Sequence, residues 1–121
     1  MAGRYFAHMD SHDLNTTHKF YSQRKLLREA DARGLHAEMY QLHLQKEDVD
    51  RHFNGRWNRL GPTFQNRGQG HTLQKEWADT IRPIETLMRD KHAELVGISN
   101  ELYDIRTYLE ELNWRIRASS K

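Results

Sequence analysis

From Ile81 to Ile116 the chain reads IRPIETLMRDKHAELVGISNELYDIRTYLEELNWRI. Apolar residues fall at Ile81, Ile84, Met88, Leu95, Ile98, Leu102, Ile105, Leu109, Leu112 and Ile116. The steps alternate between three and four without a slip, and Lys91 is the one polar residue in the series. A period of about 3.5 residues draws a narrow apolar stripe along one side of a helix, and that stripe needs a helical partner. The pattern predicts a helix over about residues 81–117.

A second stripe lies upstream at Leu35, Met39, Leu42, Val49 and Phe53, with Lys46 as its polar exception. Good helix formers and the absence of proline extend this helix over about residues 18–53. Phe20, Leu26, Leu27 and Ala30 continue the stripe less regularly, and Gly34 allows a kink. Thr16 or Thr17 could supply the N-cap, and Asn54-Gly55 reads as the stop, because glycine takes the left-handed C′ conformation cheaply. Laid antiparallel, the two stripes match: Phe53 faces Ile84, Val49 faces Met88, Leu42 faces Leu95, Met39 faces Ile98 and Leu35 faces Leu102. Lys46 then meets Lys91, so both polar exceptions share one layer. The expected fold is all-α, a long antiparallel helical hairpin or coiled coil forming one elongated helical domain over 1–121. The alternative is an intermolecular coil through the last helix, whose Leu and Ile order leans toward trimers or tetramers.

The rest of the chain gives weaker signals. Residues 1–16 read as a polar N-terminal arm. Residues 54–80 read as a basic connecting loop on the turn chemistry of Gly61-Pro62, Gly68 and Gly70, with a short helix that Thr72 could cap. Pro83 is expected to force a kink or a new helix start near Thr80.

Composition narrows the functions. The chain has 121 residues, enough for one domain. Its apolar share of 36% and mean hydropathy of −0.99 are lean for a globule, and suit helices that bury a stripe and solvate the remainder. It has no cysteine, which excludes disulfides, thiolate nucleophiles and cysteine zinc sites. No apolar run reaches the roughly 18 residues a membrane span needs, and the start lacks the apolar core of a secretory signal. The expected setting is intracellular: the cytoplasm, an organelle interior, or a virion assembled in the cell.

Chemistry-bearing patterns are sparse. His8 and His12 would share a helix face, as two metal ligands can, but no third ligand or general-base glutamate accompanies them. No phosphate loop, nucleophile elbow or dinucleotide fingerprint is present. No catalytic residue, metal, cofactor or small-molecule substrate is expected. Between Arg51 and Lys75, however, five bases (Arg51, Arg56, Arg59, Arg67 and Lys75) stand without one acid. Arg56, Trp57, Arg59, Phe64 and Arg67 are therefore the expected partner-binding residues, since truncating Trp and Arg at interfaces tends to cost most. The leading expectation is a non-enzymatic structural or interaction subunit that docks by helix packing into a larger protein assembly, as a homo- or hetero-oligomer. The alternative is a nucleic-acid-binding helical protein, because arginine, amides and stackable rings serve single strands.

Overall fold

A computed structural model describes residues 5–120. Two helices, α1 (Ser11–Gln65) and α2 (Gly68–Ser119), make up nearly all of it, and no strand occurs among the described residues. They pack on each other as an all-α helical hairpin. No described helix is long and apolar enough to cross a membrane. Contacts divide the chain into two compact units: one joins the N-terminal stretch through Gly34 with Leu95 onward, and the other spans Leu35–Glu94.

The unit spanning Leu35–Glu94 corrects the expected connection. Residues 54–80 are not a loop. α1 continues through Asn54-Gly55, and the chain reverses at Asn66-Arg67. Helix continues because Phe53, Trp57 and Leu60 repeat at helical spacing and are all partly buried. The real break comes later, at Gly61, with φ 75° and ψ 163°. That backbone region is open essentially to glycine alone. Pro62 restarts one further helical turn, where its missing N–H costs nothing. The Gln65 side-chain amide donates to the Trp57 carbonyl at 2.9 Å, filling the acceptor that residue 61 would bond in a regular helix. α2 then begins at Gly68 rather than at a Thr72 cap, and it runs through Pro83 without a new start. Pro83 is exposed, so its ring faces water.

The register also differs from the expected one. Lys91 Nζ donates to Glu38 Oε2, Lys46 Nζ lies 4.0 Å from Glu85 Oε2, and Arg56 pairs with Glu76 at 3.1 Å. Phe53 shares a cavity with Leu73 and Trp77 rather than lying opposite Ile84. Lys46 and Lys91 therefore do not share a layer: the helices are offset by about one heptad from that arrangement. The position of the turn sets this offset. Reversal at Asn66-Arg67 brings Phe53 and Trp57 against Leu73 and Trp77, whereas the other register sets Phe53 against Ile84. It also gives each lysine a carboxylate instead of a second ammonium. Lys46 and Lys91 are half-buried, with stems packed and heads directed to acids at the edge. The Glu38 hydrogen bond raises the Lys91 pKa against the opposing effect of burial.

In the other unit, α1 starts at Ser11, earlier than expected, and the cap is Asp10 rather than Thr16 or Thr17. Asp10 Oδ1 accepts from Asp13 N at 2.8 Å, and the Asp10 carbonyl accepts from Leu14 N at 2.9 Å. α1 passes Gly34 within one continuous helix. Residues 1–4 of the expected arm lie outside the described residues. The remainder of the arm folds: residues 5–8 form a turn, and Phe6 is buried with Leu14 and Leu112. Tyr21 and Tyr108 close that cluster, their centroids 5.1 Å apart.

A buried carboxylate fastens the turn. Glu111 has a side chain only 1% exposed. It accepts from Phe6 N at 2.7 Å, Tyr5 N at 3.2 Å and Arg115 Nε at 2.9 Å. Burial pushes its pKa up, but the Arg115 hydrogen bond and the two backbone amides outweigh burial and hold it below the usual carboxylate range. Glu101 is similar: burial raises it, and hydrogen bonds from Arg24 and Arg28 more than reverse the effect.

The seam residues stand as follows. Leu35, Leu42, Ile98, Leu102, Ile105 and Leu112 are buried, whereas Met39, Val49, Phe53, Ile84, Met88, Leu95 and Leu109 are half-buried.

Gly70 is buried, and an added Cβ would overlap the Gln65 carbonyl, so Gly70→Ala should destabilise strongly. Gly61→Ala should cost about 1–3 kcal/mol, because φ 75° with ψ 163° is a region confined essentially to glycine. Gly55 is helical with open space at its Cβ, so Gly55→Ala should instead stabilise by about 0.5–1 kcal/mol. Urea melts check the three signs, and a destabilised Gly55→Ala would restore the stop at Asn54-Gly55.

Glu111 and Glu101 have folded pKa values below those of the unfolded chain. Their contribution is complete above the ordinary carboxyl pKa of about 4.3 and is lost as pH falls through the lower folded values. Thermal melts should therefore drop below about pH 4. Glu111→Gln should cost roughly 1–3 kcal/mol at pH 7 and flatten that acid limb.

Candidate functional site

The segment that carries the expected partner-binding residues is helical, and this decides where each side chain points. Arg56 and Trp57 are half-buried, while Arg59, Phe64 and Arg67 are exposed. Arg56 is occupied within the chain: its guanidinium pairs with Glu76 at 3.1 Å and lies 5.4 Å from the Phe53 ring centroid. Arg59 Nε donates to the Gly55 carbonyl at 3.2 Å, and Arg51 pairs with Asp48 at 3.1 Å. The acid-free stretch of sequence thus meets acids supplied by other parts of the chain, which lowers its net field. The structure separates the five residues. Trp57 faces the partner helix, and Arg59, Phe64 and Arg67 face solvent.

Trp57 lines a cavity that sequence reasoning missed. Phe53 and Trp57 come from α1, one turn apart, and Leu73 and Trp77 from α2, also one turn apart. Asn54 and Gln74 complete the lining of this open hollow of about 270 Å³. Trp77 Nε1 donates to Asp50 Oδ1 at 2.7 Å, which fixes the indole and places a carboxylate beside the cavity. The signal was present as two i,i+4 aromatic-apolar pairs, Phe53/Trp57 and Leu73/Trp77. Assigning Trp57 to a loop hid it. A second, broader hollow of about 670 Å³ lies between Arg56, Leu60, Thr72 and Glu76, and is crossed by the Arg56–Glu76 pair.

The remaining candidates do not converge. His8 lies in the N-terminal turn and His12 in the first turn of α1, both exposed. No group of three or more His, Asp or Glu side chains among the described residues is arranged to hold a metal ion. Glu110 is exposed, while its neighbour Glu111 is committed to the arm.

No protein-family model matches this chain, and neither does any curated protein or solved structure.

Trp57→Ala should destabilise by roughly 1–3 kcal/mol, less than a fully buried tryptophan, whereas Arg59→Ala and Arg67→Ala should stay within about 0.5 kcal/mol. Chemical denaturation of the three variants checks this division between packing and surface.

Proposed function

We propose that this chain is a non-enzymatic helical subunit that docks into a larger protein assembly through exposed helix faces. One observation carries the reading. On α1, Phe20, Leu26 and Leu27 are 59%, 68% and 54% exposed. Phe20 and Leu27 are two helical turns apart on one strip, with Leu26 beside it. A single exposed leucine needs no explanation, but three large apolar groups exposed within two turns of helix favour a covering partner. On α2 of the same unit, Val96 and Tyr103 repeat the pattern at seven-residue spacing and are also exposed.

A second reading retains Arg59, Phe64 and Arg67 as an exposed basic-aromatic group that meets a single-stranded nucleic acid. Neutralisation of Arg51 and Arg56 by acids of the chain makes this the weaker reading.

The test is co-purification of the full chain from its native cell, with two sets of variants. Phe20→Gln with Leu26→Gln and Leu27→Gln should remove the partner and leave far-UV circular dichroism unchanged. Arg59→Ala with Phe64→Ala and Arg67→Ala should retain it. Loss of the partner only in the second set, together with a salt-dependent mobility shift on single-stranded RNA or DNA, would overturn the docking role in favour of nucleic-acid binding.

A further inference from the structure

The cavity between Phe53, Trp57, Leu73 and Trp77 has a chemistry that helix packing does not require. Two indoles and a phenyl ring surround a space of about 270 Å³ that is small, open to solvent and mostly apolar. Beside it, the Asp50 carboxylate is half-buried, and its one polar partner among the described residues is the Trp77 indole N–H. Three bases of this unit pair with other acids: Arg56 with Glu76, Lys46 with Glu85 and Arg51 with Asp48. Asp50 makes no ion pair among the described residues, and its carboxylate sits at the N–H edge of the Trp77 ring whose side chain lines the cavity. Aromatic faces attract cations through their quadrupole, and a guanidinium already uses the Phe53 ring in this way.

We propose that this cavity binds a small quaternary ammonium compound, with its methyl groups against Trp57 and Trp77 and its charge balanced by Asp50. Each competing ligand class meets an obstacle. An anion would face Asp50. A primary ammonium is strongly hydrated and has three N–H donors to satisfy, whereas the polar groups here are Asn54, Gln74 and an Asp50 carboxylate already accepting from Trp77. A quaternary ammonium has no N–H to satisfy, sheds water more readily, and gains from apolar contact and charge together. Binding of this kind is a second property, independent of docking through the outer helix faces, and it stands or falls separately.

The experiment uses the full chain with Trp114→Phe, which leaves Trp57 and Trp77 as the only fluorescent indoles. Choline is titrated against 3,3-dimethylbutan-1-ol, its neutral isostere. Choline should give a saturable change in emission and bind at least about tenfold more tightly than the isostere. Asp50→Asn keeps an acceptor for Trp77 but removes the charge, and should cut that preference to about threefold or less. Trp77→Leu should abolish binding, with circular dichroism reporting whether the helices persist. Equal affinity for choline and the isostere, or an undiminished preference in Asp50→Asn, would overturn the proposal and leave an apolar hollow. No saturable change with choline up to about 100 mM would also overturn it, since such an affinity falls below any useful cation–π gain. Trimethyl-lysine in a short peptide is the last arm. Binding about tenfold tighter than choline would overturn the assignment to a free small molecule in favour of a modified protein segment.

Discussion

The turn at Asn66-Arg67 is the constraint on which the Leu35–Glu94 unit depends. It requires a Gly61 backbone conformation that other residues strain to adopt, and a Gly70 with no side chain between it and the Gln65 carbonyl. Once the chain reverses there, the pairing within this unit is set. Phe53 and Trp57 reach Leu73 and Trp77, Lys46 reaches Glu85, and Lys91 reaches Glu38. The exposed ion pairs contribute little stability by themselves. Their role is discrimination, because a slipped register would leave lysine heads without acids.

The unit built from the two chain ends is held differently. α2 offers buried Ile98, Leu102 and Ile105, but α1 answers with half-buried Arg24, Lys25 and Arg28 rather than large apolar residues. Arginine stems can cover apolar surface while their heads share the Glu101 carboxylate. The dense packing is concentrated around Phe6, Leu14 and Leu112, where the N-terminal turn is fastened to Glu111. A buried carboxylate with three donors is tolerable, whereas the same group with its donors removed would be costly.

The heptad from Ile81 to Ile116 made the helical class legible, because a 3.5-residue period has no other structural meaning over that length. Register was not legible, for a reason inherent in heptads. A slip of one repeat restores nearly every apolar match, so only the lysines and the turn can discriminate. Asn54-Gly55 was misread because stop chemistry was weighed without the apolar side chains that continue past it. Asp10 had the residue type of a cap but stood before a segment with no clear period. Glu111 lies off the apolar stripe, which normally means solvent. Its burial depends on a turn some hundred residues away, and no local pattern records such a contact. The expected partner-binding residues divide in a way the linear pattern does not record: Trp57 turns inward, while Arg59 and Arg67 remain in water.

The Glu111 clasp also bears on the order in which the molecule assembles. Contacts near the turn join residues close in sequence, such as Asp50 and Trp77, 27 apart. The clasp joins Phe6 and Glu111, separated by 105. Closing the shorter loop loses less chain entropy, so the hairpin end nearest the turn should nucleate and zip outward, with the N-terminal turn docking last. What docks last is commonly what opens first. Native-state hydrogen exchange should find the amides of Tyr5 and Phe6 among the earliest to exchange, well before those of the helices between Phe53 and Trp77.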